Sequence, residues 1–570
     1  MIASNISRVC KIFGNVVSSL SGTKTYGIGK MQILRHSSRV THPNPCSYQH
    51  RSHTCGQLRA LDDGRTVTLC GWLQFKRMGK FFTLRDGYGV TQLFLPEQDP
   101  ALAQKVEALP LESVLQVTGA VRRRPDGQQN QQMTTGDVEV VVHDVAILNK
   151  PDRKLPFNIR SFNKAKEALR LQYRYLDLRH PELQHNIRLR SQMVMDMREY
   201  LARDHGFIDV ETPTLFKRTP GGAQEFVVPT RTAGRFYSLV QSPQQFKQLL
   251  VMGGLDRYFQ IARCYRDEGA RPDRQPEFTQ VDIELGFTTQ LGIQSLVEGL
   301  LRRCWPLGDL VTPFPRITYA QAIAQYGSDK PDLRFGWKLT DVTSTLRACG
   351  SELLERELAA PGAAAVALVV PDGSCHFSRS LRAQHAVRAL IGRLRVQMAD
   401  RLEASGVAVR QAGPHLVWVV DFPLFVEEEG RLVSAHHPFT RPHQEDEHLV
   451  HSNPSEARSQ HFDLVLDGWE IGGGSMRIHE PALQRHVLET VLGEDTAPLQ
   501  HLLDALASGA PPHGGIALGL DRLVALVCGA QSIRDVIAFP KTSDGRDLMA
   551  DAPSDISREE YDLYHLTKPS

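Results

Sequence analysis

Arg266-Asp-Glu-Gly-Ala-Arg-Pro-Asp-Arg-Gln-Pro-Glu-Phe-Thr-Gln-Val-Asp-Ile-Glu284 is the stretch whose reading decides the fold. Within it Phe278, Gln280, Asp282 and Glu284 alternate with other residues and predict a strand with one polar face. Ahead of that strand runs a loop carrying Arg266, Arg274, prolines and a glycine. An incoming strand, this loop and a returning strand could hold a phosphate with Arg266, pin an adenine with Glu268 and stack it on Phe278. Guanidinium forks match phosphate oxygens, and aromatic rings cover purine faces. A generic ion-paired hairpin would carry similar charges but not this ordered set, so the stretch points to a nucleotide site on the polar face of a sheet.

Two other segments extend that sheet. Gly206-Phe-Ile-Asp-Val-Glu-Thr-Pro213 follows an amphipathic helix expected over about residues 187 to 204 and leads into a strand that Pro213 forces to an edge or end. Such an edge often meets a partner. Gly514-Gly-Ile-Ala-Leu-Gly-Leu-Asp-Arg522 combines a glycine-lined strand with a helix beginning near Asp521, and places Arg522 where close backbone approach leaves room for a phosphate.

Organisation follows from the patterning around these segments. The chain has 570 residues, 41% hydrophobic and 23% charged, which fits several globular domains. No apolar run reaches the roughly 20 residues a membrane span requires, so no membrane partner is expected. Residues 54–150 show strands at Thr66–Leu73, Phe81–Arg85, Val90–Leu95, Val114–Arg122 and Val138–Leu148 between turn signals, the signature of a small OB-type barrel. Residues 151–168 read as a hinge. A helix-and-sheet domain is expected over 169–299 and again over 416–554, split by an inserted α+β domain at 300–415 and followed by a tail at 555–570.

The first residues differ in character. Before Asp62 there is no acidic residue, whereas Arg8, Lys11, Lys24, Lys30, Arg35, Arg39, Arg51 and Arg59 accumulate among nine serines. Ile2, Ile6, Val9 and Phe13 fall near helical spacing, so residues 1–45 read as a mitochondrial transit peptide, cleaved between residues 35 and 50. The first 61 residues hold eight of the 66 basic and none of the 64 acidic residues, so the remainder carries a formal charge of −6. Nucleic acid must therefore meet local basic patches. None of the nine cysteines forms a Cys-x-x-Cys pair, which argues against zinc and a disulfide framework.

The three segments, in this order, resemble the signature motifs of class II aminoacyl-tRNA synthetases. The finer pattern resembles aspartyl-tRNA synthetases of bacterial and mitochondrial type, from about Thr54 to Ser554. Its specific pieces are Arg170–Arg179, Gln241–Lys247, the opening stretch, Gly327-Ser-Asp-Lys-Pro-Asp-Leu-Arg334, His436–Thr440, Glu470–Arg477 and Gly519–Arg522. The resemblance implies a multidomain α+β protein: an N-terminal OB-type barrel, a catalytic domain on an antiparallel sheet with helices, and the insertion. In this family a substrate carboxylate attacks the α-phosphorus of ATP, releasing pyrophosphate, and the terminal adenosine of tRNA(Asp) takes the aminoacyl group. No protein nucleophile is needed, so catalysis is positioning and charge neutralisation.

The same resemblance implies residue roles. Arg266, Arg522 and Glu470 carry catalysis. Arg266, Asp267, Glu268, Gln275, Phe278, Glu470, Gly519, Leu520, Asp521 and Arg522 bind ATP, and Asp463 with Glu470 holds Mg²⁺. L-Aspartate meets Ser242, Gln244, Lys247, Arg266, Gln280, Asp282, His436, His437, Gly473 and Arg477, with Lys247 and Arg477 at its side-chain carboxylate. Arg77, Phe81, Gln92 and Arg122 read the tRNA anticodon. A homodimer in the mitochondrial matrix completes the expectation. One position departs from the family: Gly221 stands where bacterial members carry Glu, so ammonium recognition is expected to be looser or compensated by Gln224 or Glu225. A synthetase-derived binding protein without chemistry should have lost Arg266, Arg522, Glu470 and Arg477, and all four are present.

Overall fold

The computed structural model describes residues 46–152, 154–159, 165–219, 222–269, 273–348, 356, 358–359, 363–371 and 388–567. The leader, Gly221, Cys349 and Cys375 lie outside the described residues.

Strands Thr66–Arg77, Phe81–Asp86, Gly89–Phe94, Val114–Arg123 and Val138–Asn149 close into a barrel. Their alternating pattern turns Val67, Leu69, Leu84, Leu93, Val117 and Val140 inward. The turn after Phe81–Asp86 is set by the Asp86 carboxylate, whose Oδ1 accepts from the backbone N–H of Tyr88 (2.8 Å) and Gly89 (3.1 Å). Helix Pro100–Glu107 begins on an Asp99 cap and adds Leu102 and Val106 to the barrel core.

The catalytic domain is built on an eight-stranded sheet. Its order is Arg316–Thr318, Leu416–Val420, His461–Leu466, Trp469–Met476, His513–Gly519, Glu277–Gly286, Arg257–Tyr265, Ile208–Asp209. The sheet is antiparallel except at its ends, where the outermost strand on each side runs parallel to its neighbour. Val281 and Ile283 of the Glu277–Gly286 strand sit in an apolar core with Met193, Met197, Ile293, Val297, Leu523 and Val524. Those partners lie on helices Pro181–Arg198, Gln290–Cys304 and Leu520–Val527. The alternation predicted from the opening stretch is therefore realised as one oily face under helices and one polar face left free. A Cβ on Gly515 would lie 2.1 Å from the Glu284 Oε2, so the neighbouring strand needs glycine there to leave that carboxylate its place.

Three expectations need correction. The helix expected over 187–204 begins at Pro181, which suits the first helical turn because it lacks an N–H, and it ends in a wider π-type turn at Glu199–Asp204. The edge strand is only Ile208–Asp209, so Pro213 lies beyond the strand instead of terminating it from within. The boundary at residue 300 cuts helix Gln290–Cys304, whose Leu300 and Leu301 are core residues, and Arg316–Thr318 is a strand of the main sheet. Among the described residues, the inserted part comprises helices Tyr319–Tyr326, Thr343–Arg347 and Arg388–Ala404 and the strand pair Leu339–Asp341 with Val366–Leu368.

Two buried arginine networks lock the parts together. Arg85 of the barrel pairs with Glu112 through Nη2 (2.9 and 3.0 Å) and donates to the Arg179 carbonyl (2.9 Å), while Arg179 also reaches Glu112 (2.8 Å). Arg174 donates to Asp177 (2.6 Å) and to the carbonyls of Arg534, Ile537 and Ala538, tying the segment 170–179 to the chain after helix Leu520–Val527. Removing one partner of a buried pair leaves a charge without solvent, so Arg174→Met is expected to lower stability by about 3–5 kcal/mol in urea unfolding. A loss within the roughly 1 kcal/mol of a surface pair contradicts this reading.

Candidate active site

A cavity of about 760 Å³ lies over the polar face of the sheet. Helix Gln244–Met252 brings Lys247 down onto the Glu277–Gly286 strand, and the end of the Trp469–Met476 strand brings Arg477 in from the other side. Lys247 Nζ is 2.9 Å from Asp282 Oδ1 and 3.5 Å from Glu284 Oε2. Arg477 donates from Nε to Glu284 Oε1 (2.9 Å), from Nη2 to Oε2 (3.1 Å), and from Nη1 to Ser475 Oγ (2.5 Å). Both carboxylates are 0% exposed. Burial alone would raise both. At Glu284 the neighbouring Arg477 and Lys247 outweigh it and hold the carboxyl below its ordinary range, whereas Asp282 stays raised because burial exceeds what Lys247 returns.

Several polar atoms at this end have no partner. Asp282 Oδ2, Gln244 Nε2 and Glu225 Oε2 are buried without a hydrogen bond, and all three residues line the cavity. Ser242, Gln280, His436, His437 and Gly473 line it as well. Glu225 is oriented by Thr219 Oγ1 (2.6 Å) and Gln241 Nε2 (3.1 Å), whereas Gln224 contributes its carbonyl to the Asp267 N–H (2.8 Å).

The other end carries the nucleotide-type residues. The Arg266 guanidinium lies 5.0 Å from the Phe278 ring centroid, and its Nε is buried without a partner. Glu268 is exposed and paired with Arg274 (2.9 Å). Arg522 donates to the Glu470 carbonyl (2.6 Å) and reaches Asp273 (3.4 Å). Gly519 lines the cavity. Two residues of the expected nucleotide set stand elsewhere, and two line the cavity with polar groups engaged by the protein. Asp267 is outside the lining, and Leu520 is a core residue. Asp521 is paired with Arg190 and accepts from the Thr279 N–H (2.8 Å), so it anchors the helix bearing Arg522. Gln275 turns its amide onto the Lys541 backbone, accepting from N–H (2.7 Å) and donating to the carbonyl (3.1 Å).

Asp463 and Glu470 lie between these ends and fit a divalent cation by their chemistry. Both carboxylates line the cavity, Asp463 is raised by burial and by the Glu470 charge, and a Cβ on Gly473 would crowd Asp463 Oδ1 at 2.7 Å. His461 Nε2 lies 2.8 Å from Asp463 Oδ1, and its ring stacks on His436 at 3.5 Å between centroids. Among the described residues, the one cluster of three ligand-type side chains is His443, Glu445 and Asp446. Arg458 already takes both of its carboxylates.

On the barrel, the four expected anticodon residues lie on or beside adjacent strands. Phe81 pairs across strands with Phe94, their rings tilted at 51° with centroids 5.4 Å apart. Arg122 lies 4.3 Å from the Phe94 centroid and pairs with Glu139, which also accepts from Gln92 Nε2 (2.8 Å). Arg77 is exposed at the end of its strand. Sequence reasoning missed Phe94 and Glu139 here and His461, Asp329 and Lys330 in the cavity, and it gave no role to Glu284. Two of these had a readable signal: Glu284 continues the polar alternation, and His461 stands two residues before Asp463 on the same strand face.

The cavity thus gathers cationic and acidic side chains over a mainly antiparallel sheet. The family model for tRNA synthetases class II (D, K and N) matches residues 166–543, and that for the OB-fold nucleic acid binding domain matches 67–148. The chain belongs to the class II tRNA synthetases and, within them, to the family of aspartate–tRNA ligases. It is 49% identical to the mitochondrial aspartate–tRNA ligase of Mus musculus, over 98% of this chain and 96% of that one. It is 50% identical to the human mitochondrial enzyme, over 94% of each. The aspartate–tRNA(Asp/Asn) ligase of Opitutus terrae is 42% identical over 91% of this chain and 99% of its own. Among solved structures, the Entamoeba histolytica aspartyl-tRNA synthetase superposes with a TM-score of 0.59 at 21% identity. That match covers 92% of this chain and 98% of the other.

His437 supplies a test of the site's electrostatics. Burial, then Arg477 and Lys247, push its pKa down to about 3 against the opposing charge of Glu284, with His461 adding to the depression. Between that value and about 6.5 the unfolded chain binds a proton that the folded protein refuses, so this group costs stability as pH falls below 6.5. The thermal midpoint of His437→Gln is expected to decline less steeply than wild type between pH 6.5 and 5. Equal slopes contradict the assignment.

Proposed function

We propose that this protein activates L-aspartate with ATP to aspartyl-adenylate and pyrophosphate, and transfers aspartate to the 3′-terminal adenosine of tRNA(Asp) in mitochondria. The observation that carries this reading is the buried quartet of Lys247, Asp282, Glu284 and Arg477 beside Arg266 and Phe278. Two fixed cations suit a carboxylate side chain. The free oxygens of Asp282 and Glu225 suit an ammonium group, Glu225 taking the part that Gly221 cannot play.

With aspartate so held, Arg266 neutralises its attacking carboxylate and the α-phosphate together, Phe278 and Glu268 hold adenine, and Arg522 grips the far phosphates. Gln280, Gln244, Ser242 and Gly473 shape the aspartate pocket, and His436 and His437 close it. Asp463 and Glu470 would hold Mg²⁺, which supplies charge neutralisation on the phosphates when bound. Lowering of the barrier then comes from alignment and from preorganised charge in a site shielded from water. Asparagine would place a neutral amide against Arg477 and Lys247 and give up the charge-assisted bonds a carboxylate makes there, on the order of a 10²-fold preference.

Phe81 and Arg122, with Phe94 beside them, would stack and steady anticodon bases, while Gln92 and Arg77 read their edges. Exposed Ile208, Leu215, Phe236 and Phe287 support a homodimer along the Ile208–Asp209 edge of the sheet. The acid-free leader and the mitochondrial relatives support residence in the matrix. Sedimentation of the full chain and a reporter fused to residues 1–50 test these two statements, and a monomer or a purely cytosolic signal contradicts them. No helix among the described residues is long and apolar enough to cross a membrane.

Arg477→Leu is expected to abolish aspartate-dependent pyrophosphate exchange while ATP still binds, and retained exchange removes Arg477 from the aspartate site. Phe81→Ala is expected to weaken tRNA charging and spare exchange. Equal loss of both activities contradicts the separation of the two sites.

A further inference from the structure

Gly327-Ser-Asp-Lys-Pro-Asp-Leu-Arg334 carries no role in the reading above, yet it enters the cavity. It leaves helix Tyr319–Tyr326 through Gly327, whose left-handed φ of 66° and contact with the Arg388 carbonyl suit glycine. From there Asp329 and Lys330 line the cavity beside His436, Asp463 and Glu470. Lys330 Nζ is 2.7 Å from Glu470 Oε2, with its side chain 39% exposed.

The segment is held from behind by the insertion. Arg395, 1% exposed, donates to the carbonyls of Asp332 (2.8 Å), Phe335 (2.8 Å) and Trp337 (2.6 Å) and packs 3.8 Å from the Phe335 ring centroid. Asp332 accepts from Arg334 (2.7 and 2.9 Å) and Arg410 (3.2 Å). A backbone fixed this firmly delivers a flexible ammonium to one place.

Asp463 and Glu470 are two carboxylates at one site, and among the described residues Lys330 is the cation whose side chain pairs with either of them, Arg522 reaching only the Glu470 carbonyl. We infer that Lys330 is a resident counter-ion for the Asp463–Glu470 pair, that a divalent cation must displace its ammonium from Glu470, and that the released ammonium then meets the phosphates. The inference rests on the reading of Asp463 and Glu470 as metal ligands. Part of the insertion's work is thus to hold Lys330.

The test is binding of Mn²⁺ alone to the full ATP-free chain, followed by electron paramagnetic resonance. Lys330→Met removes the competing cation and is expected to tighten Mn²⁺ binding by about tenfold or more, while Lys330→Arg keeps the charge and stays near wild type. Glu470→Gln in the Lys330→Met background should abolish the gain. Unchanged Mn²⁺ affinity in Lys330→Met, with Glu470→Gln still raising the magnesium requirement of pyrophosphate exchange, overturns the inference and leaves the ligand reading standing. If Glu470→Gln alters neither Mn²⁺ binding nor that requirement, the ligand reading falls and the inference with it. Equal tightening in Lys330→Met and Lys330→Arg points to loosened packing and also overturns it.

Discussion

Two cations and two carboxylates are buried side by side under the cavity, and the rest of the structure serves to keep them there. Lys247 and Arg477 come from elements far apart in sequence, and Asp282 and Glu284 from one strand between them. Each charge is tolerable only because its partners are in place before substrate arrives, since an isolated buried ion is costly. The arrangement forces a division of labour on the strand: Val281 and Ile283 anchor it in oil while Asp282 lines the pocket and Glu284 holds Arg477 and Lys247.

The consequence for chemistry is a rigid floor on which two anions can be aligned. A carboxylate and a triphosphate repel one another in water, and Arg266, Arg477, Lys247 and Arg522 span the cavity that would receive both. The buried networks around Arg174 and Arg395 lie behind the chain leading from the Arg522 helix and behind the Lys330 segment, respectively. Preorganisation at the site is therefore built from polar clamps well outside it.

Much of this was legible in the sequence because its signals are periodic or chemically singular. The five barrel strands appear within a few residues of their expected limits, since alternation and turn residues mark strand ends locally. The cavity gathers Arg266, Lys247, Arg477 and Arg522 because those residues sit in segments whose order is distinctive. What escaped depends on pairing between distant segments. Lys330 meets Glu470 across 140 positions of sequence, and nothing local in either segment announces it. Gln275 and Asp521, expected at the nucleotide, line the cavity and also brace backbone groups there, since sequence shows a polar side chain but not the backbone group it satisfies. The insertion's first boundary failed for a related reason: an apolar helical stripe continues through residue 300 without a break in pattern.

The central claim is that a preformed pair of cations selects a carboxylate side chain. Pyrophosphate exchange into ATP, run with aspartate, asparagine or glutamate as the sole amino acid, tests it most directly. Exchange with aspartate alone is the result the account requires. Exchange with asparagine at a comparable rate would contradict it, because a neutral amide would then be held beside Lys247 and Arg477 as well as a carboxylate is.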